Sequence, residues 1–217
     1  MPKTIRQIDW EKYEEIYPDR YSDPSVFDGK VHNEIARLLT KAGSDVLNIG
    51  GGKSSRLHRA WLAMLCREPK TDPKFWLLDP YVTCPGWMES VDWDTDKQFD
   101  LIICRGSFNY LQRQQIIKIP DMLKPGGCFL FNTFYKPKNG SRRYTNTKSG
   151  TKGVEKFQCR GKVVIHRLEP DGEDYVIQHE IKVRSVDDIV KLLGANGLTL
   201  EFLGPNTLFV KLERENA

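Results

Sequence analysis

The sequence lacks any run of about 20 apolar residues, the length an α-helix needs to span a bilayer, so no membrane crossing is expected. It also lacks ordered cysteine chemistry. Its five cysteines (Cys66, Cys84, Cys104, Cys128 and Cys159) form no C-x-x-C pair and stand at no zinc spacing from the four histidines. An odd number of scattered thiols with apolar neighbours argues against a disulfide scaffold and for a reducing compartment. A cytoplasmic protein without a metal site is therefore expected. Met1–Asp9 is charged and has no apolar run, so no secretory leader is expected. Strong charge bias is missing too: 33 Lys and Arg stand against 29 Asp and Glu, a net +4 over 217 residues. That balance falls short of a dedicated nucleic-acid coat and permits an anionic partner without demanding one. There are no repeats and no low-complexity tract.

What is present is alternation of helical and strand signals. Asp9 can cap a short helix carrying Trp10, Tyr13, Ile16 and Tyr17 on one side. Asp28 can cap a second, with Val31, Ile35, Leu38, Leu39 and Ala42 at helical spacing, ended by Gly43. Asp45–Ile49 is a short apolar run closed by Gly50, Gly51 and Gly52, and Leu57, Ala60, Trp61, Met64 and Leu65 return to helical spacing. Phe75–Leu78, Leu101–Cys104 and Cys128–Thr133 read as buried strands, with a helix around Gln112–Leu123 and a break at Lys124-Pro125-Gly126-Gly127. Continuous apolar strands alternating with helices indicate a parallel sheet covered on both faces.

The last third differs. Val163–Leu168 and Tyr175–Val183 flank Glu169-Pro170-Asp171-Gly172, a hairpin signal. Ser185 and Asp188 suit a capping box for a helix through Leu193. Leu198–Leu203 and Leu208–Leu212, joined by Gly204-Pro205-Asn206-Thr207, give the sheet an antiparallel ending.

Glycines between a strand and a helix let the backbone approach a ligand, and a helix N-terminus favours polar or anionic groups there. Gly52-Lys53-Ser54 looks like the end of a P-loop, but that motif needs a glycine where Leu47 stands. Gly50 and Gly52 fit a dinucleotide fingerprint, whose third glycine is Ser55 here. A looser nucleoside loop and a plain tight turn are the other readings.

Several motifs taken in order resemble the class I S-adenosylmethionine-dependent methyltransferase family over roughly Asp28–Arg214. Val46–Ser55 (VLNIGGGKSS) is similar to its first motif, and Phe75–Pro80 (FWLLDP) to its second strand. Phe99–Leu111 (FDLIICRGSFNYL) resembles the fourth strand and its following loop, and Ile119–Thr133 (IPDMLKPGGCFLFNT) the LKPGG turn and fifth strand. Two departures stand out: Asn48 replaces the usual acid and Ser54 a frequent glycine. The stretch from Asp79 to Phe99 is also shorter than usual, so the third strand and its helix must be cut down.

The resemblance implies an α/β, Rossmann-like doubly wound, mostly parallel sheet with an antiparallel C-terminal strand, plus an inserted β-hairpin cap. Residues 1–43 would form an N-terminal helical lid, 44–134 and 184–217 the core, and 135–183 a basic loop and hairpin cap. S-adenosylmethionine is the implied cofactor. Asn48, Gly50, Gly51 and Gly52 would line it, Asp79 would hold the ribose, Asp92 and Trp93 the adenine side, and Arg105, Gly106 and Ser107 the methionine end. Tyr21 and Phe108 would flank the acceptor. Tyr110 and His179 are the candidate catalytic groups, His179 as a general base sharing a strand face with Tyr175, Ile177 and Ile181. For Phe108, Tyr110 and His179, plain core packing is the competing reading.

Met122–Val154 contains no Asp or Glu yet carries Lys124, Lys136, Lys138, Arg142, Arg143, Lys148 and Lys152. The Gly, Ser, Thr and Asn content of Asn139–Gly153 suggests a loop. Arg142 and Arg143 are therefore expected to meet a small-molecule or nucleotide-like anionic acceptor, with nucleic acid left open. Ser107-Phe108-Asn109-Tyr110 lacks the prolines of the adenine-type DNA amino-methylating motif, which argues against that subclass. The expected activity is methyl transfer. A non-catalytic binding or scaffold protein of the same fold and an NAD(P)-dependent oxidoreductase are the alternatives.

Overall fold

The computed structural model describes residues 3–5, 26–38, 43–51, 73–79, 84, 86, 88–134, 140–145, 152–160, 163–168, 175–180, 182–203 and 207–215. It divides into two compact units, one of residues 25–135 and 184–217, the other of 1–24 and 136–183.

The larger unit is built on seven strands: β2 (Asp45–Ile49), β3 (Lys74–Leu78), β4 (Glu89–Ser90), β5 (Phe99–Cys104), β6 (Leu123–Phe134), β11 (Leu198–Phe202) and β12 (Thr207–Glu213). Every residue of β2 and β5 is buried, as a strand covered on both faces requires. The order across the sheet is β11-β12-β6-β5-β2-β3-β4. The pairs from β6 to β4 are all parallel, and β12 pairs antiparallel with both β6 and β11. The third strand is indeed cut down: β4 has two residues, held beside β3 by the Val91 N–H donating to the Leu77 carbonyl at 3.0 Å.

Alternating strand residues feed two cores, one on each face. On one face α1 (Val26–Leu38) lays Val31, Ile35 and Leu38 against Val46, Leu77, Leu101, Leu130 and Phe209. On the other, Ile116 of α2 (Arg113–Lys118) and Ile189 and Leu193 of α3 (Val186–Leu193) join Leu47, Ile49, Phe99, Ile102, Phe129 and Phe131. The Ser185–Asp188 capping box opens α3 in both directions. No helix among the described residues is long and apolar enough to cross a membrane.

A polar cluster holds the amino ends of the central strands. The Asp45 N–H donates to Asp100 Oδ2 at 2.9 Å, and Lys124 Nζ reaches Asp100 at 2.7 Å and Asp45 at 3.0 Å. Trp76 Nε1 donates to Asp45 at 2.9 Å, and Lys97 pairs with Asp45 at 3.0 Å while lying over the Trp76 ring. Burial pushes the Asp45 pKa up, but the hydrogen bonds from Lys124, Lys97 and Trp76 outweigh it and hold the carboxyl below its ordinary value.

The smaller unit differs from the expected loop and hairpin. The inserted element is more than a hairpin: it is a five-stranded sheet. The hairpin of β9 (Val163–Leu168) and β10 (Tyr175–Glu180) is present, but β8 (Lys152–Arg160) extends it and β7 (Gly140–Thr145) extends that, all antiparallel. The segment read as a loop at Asn139–Gly153 thus supplies strand residues, because ladder pairing overrides its turn-prone composition. The N-terminal segment contributes β1 (Lys3–Ile5), parallel to β10. It also divides after residue 24, with α1 belonging to the larger unit. The helix expected after Asp9 lies outside the described residues, as does the one after the glycines.

Candidate functional site

The strand order reverses between β2 and β5, since the chain moves outward from β2 to β4 and then returns to build β5 and β6 on the other side. Such a reversal opens a crevice beyond the carboxyl ends of the strands. Those ends present Gly50 and Gly51 after β2, Asp79 after β3, Arg105, Gly106 and Ser107 after β5, and Asn132 near the end of β6. The predicted loops are therefore brought together. Gly52 and Tyr21 lie outside the described residues.

Hydrogen bonds tie these ends to one another. The Gly50 N–H donates to the Leu78 carbonyl at 2.9 Å, next to Asp79. Ser107 Oγ donates to the Gly50 carbonyl at 2.6 Å. The Gly106 N–H donates to Asn132 Oδ1 at 2.7 Å. Gly50 has φ +60°, and a Cβ there would stand 2.7 Å from the Ser107 Cβ. At Gly51 a Cβ would overlap the Asn48 side-chain amide. Asn48 itself is 2% exposed. Its side chain fills the space beside Gly51 that a Cβ would need.

Phe108 is packed in the core, the competing reading given for it. It opens a short 3-10 helix, Phe108–Tyr110, with its ring fully buried and stacked on Phe131 at 3.9 Å between centroids. The Arg184 guanidinium lies 5.5 Å from the Phe108 ring centre. Tyr110 is half-buried, with its N–H donating to the Ser107 carbonyl at 2.9 Å. Asp92 is exposed and accepts the Asp94 N–H at 2.9 Å, which forms the turn after β4. Trp93 packs partly on the core, and Lys118 holds this turn through the Trp93 carbonyl at 3.2 Å and Asp94 at 2.9 Å.

Three groups were missed by sequence reasoning. Arg184, nearly buried, donates to the Leu111 carbonyl at 2.6 Å and the Phe108 carbonyl at 3.4 Å, pinning the chain after β5. Burial lowers its pKa, and Asp188 opposes that shift in part. Asn132 ties β6 to Gly106, and Thr133 Oγ1 donates to Asn109 Oδ1 at 3.1 Å with both side chains buried. A polar Asn-Thr pair ending the apolar run Cys128–Phe131 was a visible signal; Arg184 had none.

In the smaller unit the backbone register decides more than the side chains, which are outside the described set. Arg142 is paired with Glu155 and Arg143 with Val154. Consecutive strand residues belong to opposite faces, so Arg142 and Arg143 do not share one. Through the β8–β9 and β9–β10 registers, Arg142 shares its face with His166, Tyr175 and His179. Arg143 belongs to the other.

Solved structures share this topology. An S-adenosylmethionine-dependent methyltransferase from Clostridium acetobutylicum ATCC 824 matches with a TM-score of 0.61 at 18% identity, over 95% of this chain and 99% of that one. The chain has the class I methyltransferase fold. S-adenosylmethionine-bound CalS10, an amino pentose methyltransferase from Micromonospora echinaspora involved in calicheamicin biosynthesis, matches at 0.60 and 15% identity, over 99% of this chain and 100% of that one. The sugar N-methyltransferase KedS8 from Streptoalloteichus sp ATCC 53650 gives 0.58 and 17%, over 99% and 96%. No protein-family model matches the chain, and no curated protein sequence matches it at a significant level. In the methyltransferase fold β2, β3, β5 and β6 are the first, second, fourth and fifth strands.

Proposed function

We propose that this chain is a methyltransferase that uses S-adenosylmethionine and acts on a small acceptor. The observation that carries this reading is the tie at the topological switch point. Gly50, where a Cβ would meet Ser107, is bonded to the end of β3 and, through Ser107, to the loop after β5, and a Cβ at Gly51 beside it would meet the Asn48 amide. Gly50, Gly51, Asp79 and the Arg105–Ser107 turn follow the carboxyl ends of three adjoining strands, which supports a common site. The solved methyltransferases that share the fold support the same cofactor class.

Bound there, S-adenosylmethionine would supply an electrophilic methyl group for in-line displacement. The protein's work is then mainly alignment and exclusion of water, and alignment alone can contribute ~7–11 kcal/mol. Gly50 and Gly51 permit close backbone approach, Asp79 accepts from the ribose hydroxyls, and the Arg105–Ser107 turn flanks the methionine end. Asp92 and Trp93 border the adenine side. Tyr110, on the turn pinned by Arg184, is the aromatic group proposed to face the transferred methyl. Aromatic contact with a cationic sulfonium contributes about 0.5–2 kcal/mol.

His179 is the proposed general base where the acceptor must lose a proton. Of the two arginines, Arg142 shares the His179 face and is retained as the acceptor contact. Its register partner on the neighbouring strand is Glu155. The antiparallel β11–β12 ending favours methyl transfer over nicotinamide chemistry.

Calorimetric titration with S-adenosylmethionine, S-adenosylhomocysteine and NADH tests the proposal. Saturable binding of the first two without the third is expected. Binding of NADH, or of none, overturns it. Release of label from methyl-tritiated S-adenosylmethionine to amine-bearing and hydroxyl-bearing small molecules then separates an enzyme from a non-catalytic binder.

A further inference from the structure

Along β6, Cys128, Leu130 and Asn132 follow one another on one face of the sheet, since side chains alternate along a strand. Cys128 and Leu130 are buried in the core that α1 covers, as is Phe209, the register partner of Asn132. Asn132 thus puts an amide where the row would otherwise stay apolar. The ladder with β5 explains why. Phe131 is paired with Cys104, the last residue of β5, so Asn132 is the first residue of β6 past the end of that strand. There the chain turns away through Arg105, Gly106 and Ser107, and the Gly106 N–H donates to Asn132 Oδ1 at 2.7 Å in place of a ladder partner. A backbone N–H can only donate, so the amide atom that receives it is the oxygen.

Packing does not hold this turn. Gly106 is exposed with φ +70°, and a Cβ built on it would meet no heavy atom within 4 Å. Glycine crosses readily between backbone conformers that other residues avoid, so hydrogen bonds select the one seen. In a trans peptide the carbonyl and the N–H point opposite ways. Holding the Gly106 N–H on β6 therefore turns the Arg105 carbonyl away from β6. Ser107 Oγ lies 3.2 Å from that carbonyl and 2.6 Å from the Gly50 carbonyl.

We propose that Asn132 is a positioning residue for the methionine end of the cofactor. It acts through the Arg105–Gly106 peptide, which it fixes in one orientation, and so sets the shape of the turn that receives the amino-acid part of the ligand. This role rests on the S-adenosylmethionine reading. A leucine at this position continues the apolar row and fills the same space, but leaves the peptide unheld.

The test compares wild type with Asn132→Leu, Asn132→Ala and Asn132→Asp. Solvent exchange of the Gly106 amide, followed by nitrogen-15 NMR, reads the turn in the free protein. Calorimetry reads the affinity for S-adenosylhomocysteine and for 5′-methylthioadenosine, which keeps the adenosine end and lacks the amino-acid carbons. In Asn132→Leu, exchange at Gly106 should quicken about tenfold, as loss of one hydrogen bond allows, while Ile102 and Ile103 are unchanged. S-adenosylhomocysteine should weaken about fivefold or more, and 5′-methylthioadenosine by less than about twofold. Asn132→Ala, which removes the oxygen without adding bulk, should repeat this pattern. Asn132→Asp keeps an acceptor oxygen at the same reach and should restore the slow exchange at Gly106. Unchanged Gly106 exchange in the Leu and Ala variants, or equal losses for the two ligands, overturns the proposal and leaves the cofactor reading standing. Absence of S-adenosylhomocysteine binding by wild type overturns the cofactor reading and this role with it.

Discussion

The Ser107 hydroxyl donates to the Gly50 carbonyl across 2.6 Å, joining two loops that are 57 residues apart in the chain. One loop leaves β2 and the other leaves β5, so this bond spans the point where the sheet changes direction. A hydrogen bond of this kind contributes a net ~0.5–1.5 kcal/mol. Ser107→Ala is predicted to weaken S-adenosylhomocysteine about threefold to tenfold with little loss of thermal stability. Calorimetry on both proteins checks it, and unchanged affinity would show that the two loops hold their places without the bond.

Gly51 and Asn48 are predicted to be coupled. Gly51→Ala alone forces a methyl group into the Asn48 amide and should destabilise the protein by about 1–3 kcal/mol. Asn48→Ala removes the obstacle. In the double variant the two changes should offset one another by ~1 kcal/mol or more in urea unfolding. Strict additivity would mean that the amide does not occupy that space.

Arg184 is predicted to matter more for stability than an arginine ordinarily does. Its guanidinium serves two backbone carbonyls and a ring face, all on the segment that carries Tyr110. Arg184→Ala leaves the Leu111 and Phe108 carbonyls short of a donor and should cost about 2–4 kcal/mol. Denaturant titration measures this, and a loss under ~0.5 kcal/mol, typical of surface positions, contradicts it.

The Asp45–Asp100–Lys124 cluster sets a pH window. Asp45 has a pKa below its ordinary 3.8, so its contribution is complete above that value and is lost as pH falls through the lower folded-state value. Burial pulls the Lys124 pKa down, but hydrogen bonds from the ammonium to Asp100 and Asp45 outweigh it and raise it above 10.5. Its contribution is complete below 10.5 and is lost as pH rises through the higher value. Thermal unfolding of wild type and Lys124→Met across pH should show the widest gap between these limits. The gap should narrow at both extremes, and a gap independent of pH contradicts the assignment.

Local signals were legible in the sequence and distant ones were not. The strands Asp45–Ile49, Leu101–Cys104 and Cys128–Thr133 were legible as largely apolar runs, because a strand buried on both faces has little other composition to choose. The Ser185–Asp188 box is a four-residue pattern and was equally plain. Phe108 misled because an aromatic residue beside a predicted site looks the same whether it faces a ligand or stacks on Phe131. Asn48 could not be placed without the backbone of Gly51. Arg184 acts on carbonyls 73 and 76 residues earlier, a pairing that no local window holds. The smaller sheet was half seen: Glu169–Gly172 marked the β9–β10 turn. Gly140–Thr145 has the composition of a loop and becomes a strand through its partner β8, which also separates Arg142 from Arg143.

The central claim is that the crevice between β2 and β5 holds S-adenosylmethionine, with Asp79 at the ribose. Calorimetric titration of S-adenosylhomocysteine into wild type and Asp79→Ala tests it most directly. The account predicts saturable binding by wild type and, in the folded variant, loss of at least a hundredfold in affinity. Equal affinity in the two proteins would contradict it.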